Sequence, residues 1–183
     1  ANQPAETERS DGKACGVLGG FLMMRVLELL SLGCVVLYSF VFFWIIRTIL
    51  PLRKRRPVRI AAYGVFHFIA NAIIYSNDLE CLALTFLAFF LYLLVFHKGV
   101  FIEKISVFLV FYPALISVNY LMMDIGSRIF YGITQTTYAE VIRSPELMLL
   151  SQGIFTLSVF MRLLFWAGAW LVLRKFLYRI TAH

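Results

Sequence analysis

The sequence predicts an all-α, polytopic membrane protein of about five transmembrane helices, with its N-terminus outside and its C-terminus cytoplasmic. Three observations predict it: a composition too apolar for a soluble fold, five apolar stretches near membrane-crossing length, and loop charge gathered on one side. Of the 183 residues, 61% are hydrophobic and 16% aromatic, with a mean hydropathy of +0.84. Soluble domains are roughly 45–50% apolar. The stretches are Leu29–Ile46, Ile60–Tyr75, Cys81–Phe96, Ile105–Met123 and Leu147–Leu173, the last interrupted by Arg162. They are continuously apolar and do not alternate, so they do not suit the period-two strands of a membrane barrel.

Taken in order, residues 1–22 read as a polar leader, expected to be disordered or untranslated, because the chain starts without Met and "MMRVLELLSLG" offers a start at Met23 or Met24. Its mixed charge and long apolar continuation disfavour a cleaved secretory signal. Residues 23–183 form the transmembrane domain, with spans near 26–46, 60–75, 81–96, 105–123 and 147–173. The second and third are short, and flanking residues such as Tyr75, His97 and Lys98 are expected to reach into the interface. The last span continues as "LLFWAGAWLVLRKFLYRI", without Gly or Pro after Gly168, so its helix is expected to run on past Arg174.

Five spans divide the loops into two sets. One set carries Arg47, Arg53, Lys54, Arg55, Arg56, Arg59, Lys98, Lys104, Arg174, Lys175 and Arg179, with Glu103 as its only acid; the other carries five cations against nine acids. Loops rich in Lys and Arg stay on the cytoplasmic side, which fixes the orientation in the plasma membrane. "PLRKRRPVR" is therefore read as a topology anchor made of Arg53, Lys54, Arg55, Arg56 and Arg59. Contact with anionic membrane lipid is a compatible addition. Nucleic-acid binding is not expected of so short a run tethered between two spans.

No motif of a catalytic centre is present, and Cys15, Cys34 and Cys81 lack the spacing of a zinc site or a disulfide framework. No metal and no cofactor is expected. Polar residues at membrane depth are the candidates, because lipid penalises them and they must face the bundle or water. Glu28, Asn71, Asn119 and Gln152 fall in one outer layer, and Asp78, Glu80 and Asp124 lie in the adjoining loops. They are read as the lining of a shallow external ligand pocket walled by Phe66, Phe68, Tyr75 and Tyr120, set against the plainer reading that each amide bonds a neighbouring helix. Arg162 lies deeper with no acid at its level, and it is expected either to meet His67 or a backbone carbonyl near Pro113, or to snorkel toward the inner interface if the span ends near Trp166.

"LELLSLGCVVLYSFVFFWIIRTILPLRKRR", "LYLLVFHKG", "VFIEKI" and "SVFLVFYPALISVNYLM" together resemble the membrane-embedded sensor regions of bacterial histidine kinases of the accessory-gene-regulator type. The resemblance covers roughly Met23 to Ile180 and rests on hydropathy, loop style and the set Phe96, Lys98, Gly99, Lys104 and Ile105. It implies a homodimeric receptor for an extracellular small ligand or peptide; Arg162, from its place in the last and longest span, is read independently as the element of signal transfer. A response regulator would be reached only through a kinase domain that these residues do not contain, and His183 lacks the helix that surrounds a phosphoacceptor histidine. One rival reading is a substrate-binding membrane subunit of a vitamin-type uptake transporter, for which "WAGAW" is the nearest thing to a docking motif, and another is a plain structural or assembly protein.

Overall fold

The computed structural model describes the backbone of residues 5–53, 56–72, 78–136 and 138–181, and the side chains of residues 19–53, 57–72, 78–136 and 140–175. The described elements are all helical: α1 (Ala5–Ile49), α2 (Arg56–Ala70), α3 (Leu79–Phe96), α4 (Phe101–Thr134), α5 (Tyr138–Arg143) and α6 (Pro145–Thr181). Among the described residues the one departure from helices and turns is an isolated antiparallel bridge between Leu52 and His97. Four helices are long and apolar enough to cross a membrane, over Gly19–Ile49, Leu79–Phe96, Phe101–Thr134 and Pro145–Lys175. This is the architecture of a multi-pass membrane protein.

The second expected span differs. Its helix ends at Ala70 after 15 residues, which at 1.5 Å per residue is about 22 Å against a hydrocarbon core of about 30 Å. Asn71 ends it. Its Nδ2 folds back to donate to the His67 carbonyl at 2.7 Å and also reaches Ser39 Oγ at 2.8 Å. The segment 60–75 is thus not one continuous described helix, and Tyr75 lies outside the described residues. At the other end of the chain, α1 begins at Ala5, inside the stretch read as a leader.

Local chemistry sets the remaining boundaries. Asp78 caps α3 by accepting from the Cys81 amide at 2.9 Å. After His97, Gly99 takes φ +116°, a left-handed turn that glycine adopts without strain, and α4 then starts with Glu103 accepting from the Val100 amide at 3.1 Å. Pro113 sits inside α4, whose helix continues through it. Gln135, at φ 50°, closes α4 by donating its amide to the Tyr131 carbonyl at 2.9 Å.

The helices alternate in direction. α2 returns along α1, with Phe43 against Tyr63 and Tyr38 against Ala70; α3 reverses again, with Phe66 against Tyr92. α4 runs against α3, with Phe101 near Phe90 and Tyr112 near Thr85. α6 packs along α1 in the same direction, Gln152 opposite Ser31 and Trp166 on Phe42. Arg47, Arg53, Arg59, Lys98 and Arg174 consequently lie toward one end of the bundle, called here the basic end. Asp78, Glu80, Glu140 and Glu146 lie toward the other, the acidic end.

Packing is uneven along the axis. Toward the basic end a continuous aromatic core joins Phe42, Phe43, Phe66, Phe89, Tyr92 and Phe108, all buried. Toward the acidic end α1, α4 and α6 meet, and Phe21, Leu22, Leu29 and Leu121 are exposed, as lipid-facing side chains are. Gly126 of α4 marks a close approach to α6: a Cβ there would run into Ser158 Oγ and lie 3.4 Å from Ile154. Small residues at such crossings let membrane helices approach without a bulky side chain between them.

Candidate functional site

Three polar groupings lie within or beside the bundle, and they are best built from the helix ends they serve. The first sits where α2 stops. A helix end leaves carbonyls without donors, and in a bilayer these must be satisfied by protein. The Ala70 carbonyl accepts from Asn119 Nδ2 of α4 at 2.9 Å, and the Tyr38 hydroxyl of α1 lies within hydrogen-bond reach of both that carbonyl and Asn119 Oδ1. Asn71, one residue on, ties to Ser39 as described above. Tyr38, Ser39, Ala70 and Asn119 are all buried. α1 and α4 are thereby tied to the end of α2.

The second grouping stands one storey toward the acidic end, seven residues along α1 from Tyr38 and hence about 10 Å away. Ser31 Oγ donates to the Glu28 carbonyl at 2.8 Å and accepts a long contact from Gln152 Nε2 at 3.5 Å; Thr156 Oγ1 donates to its own helix at Gln152, 2.8 Å. The outer layer read from the sequence is therefore two layers. Asn71 and Asn119 share the inner one and Gln152 shares the outer one with the backbone of Glu28.

The carboxylates do not point into either. Glu28 pairs with Arg25 at 3.0 Å and Asp124 with Arg128 at 2.7 Å, each on its own helix and exposed to a substantial degree. The aromatic walls disperse too: Phe66 is in the core, Phe68 is 79% exposed, and Tyr120 is 46% exposed. The cavity that does open toward the acidic end, about 150 Å³, lies between α4, α5 and α6 and is lined by Gly126, Ser127, Phe130, Val141, Ser151 and Ser158. None of these was singled out by the sequence. Gly126, beside Ser127 in a run of bulkier residues, is the signal that could have found it.

Arg162 is the third grouping by itself. It is buried at 3% exposure in α6, and Nε and Nη2 have no hydrogen-bond partner among the described residues; neither does the buried indole N–H of Trp166 one turn on. The expected partner His67 is engaged elsewhere, its carbonyl and ring facing Asn71. A buried guanidinium with donors unmade is costly, and this one faces α1 near Tyr38.

At the basic end the chain is clasped. His97 is fully buried; its Nδ1 lies 2.7 Å from the Leu50 carbonyl and its Nε2 3.1 Å from the Tyr92 hydroxyl. The carbonyl can only accept, so Nδ1 carries the proton; in the neutral ring Nε2 then accepts from the Tyr92 hydroxyl. Burial, with the Lys104 cation adding to it against the pull of the Leu50 carbonyl, pushes the His97 pKa down to about 4. The sequence placed His97 at the interface as a flanking residue; instead it is an interior clasp. The Arg53 amide donates to the Phe96 carbonyl at 3.1 Å and the Lys98 amide to the Pro51 carbonyl at 2.9 Å. Of the proposed anchor, Arg53 and Arg59 are exposed, Lys54 and Arg55 lie outside the described residues, and Arg56 opens α2 with its side chain also outside them.

No group of His, Cys, Asp and Glu among the described residues could hold a metal ion. No protein-family model, curated protein or solved structure matches the chain.

Proposed function

We propose that the chain is the membrane-embedded receptor region of a bacterial two-component histidine kinase, crossing the plasma membrane five times with its N-terminus outside and its basic end in the cytoplasm. The observation that carries this reading is Arg162: a buried cation whose Nε and Nη2 find no hydrogen-bond partner among the described residues, placed in the helix that runs past the basic end. Membrane-depth ionisable residues are costly to keep, and one left with donors unmade among the described residues is a candidate for function. The placement of cations supports the orientation, and α2, pinned between α1 and α4, supplies the fifth and shortest pass.

In this reading an extracellular small ligand, or one side chain of a peptide, enters the cavity between α4, α5 and α6. At about 150 Å³ it is the size of cavity that accepts a benzene-sized group. A ligand there touches Ser151 and Ser158 of α6 directly. It can shift α6 only by the difference in its affinity for two arrangements of that helix, and the unmade donors of Arg162 give the second arrangement something to gain. Couplings of this kind are typically about 1–3 kcal/mol. The receptor acts as a homodimer, and a response regulator is reached through the kinase domain.

The test is a fusion of the chain to a histidine-kinase domain. Arg162→Leu should change basal autophosphorylation while the protein still inserts, and cysteine labelling should find Lys175 accessible only from the cytoplasm. Unchanged output, or labelling of Lys175→Cys from outside, contradicts the proposal.

A further inference from the structure

Two cavities at the basic end share walls. One, about 370 Å³, is lined by Arg47, Pro51, Leu52, Arg53 and Arg59. The other, about 680 Å³, is a groove between α1 and α2 lined by Val36, Leu37, Phe40, Phe43, Ile60 and Tyr63, and it is bounded by the same Arg47 and Arg59. The first is a cationic cup and the second an apolar trough leading away from it into the bilayer. From Arg47 to Val36 is eleven residues of α1, about 16 Å, close to half of a hydrocarbon core of about 30 Å. The trough is as deep as one leaflet.

The cup is held in shape. Leu52 and Arg53 are fixed by pairing with His97 and Phe96, and the Arg47 guanidinium lies over the Trp44 ring at 5.2 Å from its centroid. Tyr63 ties the walls of the trough, its hydroxyl donating to the Val36 carbonyl at 3.1 Å. We infer that this composite site binds one anionic phospholipid of the leaflet at the basic end, its phosphate among Arg47, Arg53 and Arg59 and an acyl chain along Val36, Phe40 and Tyr63. Charge and shape select the occupant together. A zwitterionic lipid offers the cations no net charge, and a free phosphate leaves the trough unfilled. The inference does not depend on the receptor reading; it needs only that the chain is in a membrane.

Native mass spectrometry of the full chain, released from detergent micelles with added lipid, tests it. Phosphatidylglycerol should remain bound at one per chain where phosphatidylcholine is stripped, and millimolar inorganic phosphate should not displace it. Arg47→Gln with Arg59→Gln should weaken retention by about tenfold or more, on the basis of the usual attraction per cation near an anionic surface. Ile60→Trp, which fills the trough and keeps every charge, should weaken it as well and decides the matter if the double variant does not fold. Equal retention of the two lipids, displacement by phosphate alone, or full retention by Ile60→Trp would each overturn the site.

Discussion

His97 and Arg162 are both buried nitrogen bases, and the bundle treats them in opposite ways. His97 is neutral, with both ring nitrogens bonded, and it joins the end of α1 to the end of α3. Arg162 sits in α6 with Nε and Nη2 unmade among the described residues. A satisfied buried polar group rigidifies the structure around it, whereas an unsatisfied one costs free energy in the state that contains it. The basic end is therefore the fixed part of the molecule, and the α1–α6 seam around Arg162 is where a second arrangement has something to gain.

The largest effect should come from breaking the fixed side. His97→Ala strips the Leu50 carbonyl and the Tyr92 hydroxyl of their partner and leaves a cavity, a loss of about 3–5 kcal/mol in unfolding free energy. The same histidine makes stability depend on pH. Unfolded, it titrates near 6.5; folded, at about 4, so its contribution is complete above pH 6.5 and is lost as pH falls from 6.5 toward 4. That loss amounts to about 3 kcal/mol. Titrating unfolding of wild type and His97→Ala side by side should show the acid-sensitive component in the former alone.

A somewhat smaller effect is expected at the α4–α6 crossing. Gly126→Leu drives a side chain into Ser158 and should cost about 1–3 kcal/mol, read by thermal unfolding in micelles, while also filling the cavity beside it. Asn119→Leu removes one of the two side chains that serve the Ala70 carbonyl. With Tyr38 still in reach, the cost should be about 1 kcal/mol, the usual scale of a hydrogen bond between membrane helices. Glu28→Gln and Asp124→Asn break exposed pairs within single helices, and unfolding should move by less than about 0.5 kcal/mol.

How far the sequence carries depends on whether a feature is local. Apolar runs are local, so the spans near 26–46, 81–96, 105–123 and 147–173 fall inside α1, α3, α4 and α6. The run at 60–75 is apolar too, but its helix stops at Ala70, where Asn71 turns back on His67 and finds Ser39, a residue 32 positions earlier. Hydropathy has no access to that. Asn71 and Asn119 were read at one depth, which counting from span ends permits, and the structure brings them to adjoining backbone positions. Gln152 was counted to the same depth and lies a storey away, since α1 and α6 are long enough for small errors of register to become a full turn. The carboxylates of Glu28 and Asp124 were drawn toward a pocket by depth alone, although each had a cation three or four residues away on its own helix. Tyr38 was hidden because a tyrosine within an apolar run reads as bulk, and its hydroxyl matters only once Ala70 and Asn119 arrive. The depth of Arg162 was plain from its place in the last span, while its lack of a partner is a statement about every neighbouring helix at once.

The contrast between the two bases can be measured directly as the unfolding free energy of Arg162→Leu in micelles or bicelles at neutral pH. If Arg162 is kept at a cost to folding, removing its charge should leave stability unchanged or raise it by about 1–3 kcal/mol, as replacing buried charge by a packed apolar side chain often does. A loss of 2 kcal/mol or more, on the scale of breaking a buried partnered charge, would mean that Arg162 holds the bundle together as His97 does, and the distinction between a fixed end and a poised seam would fail.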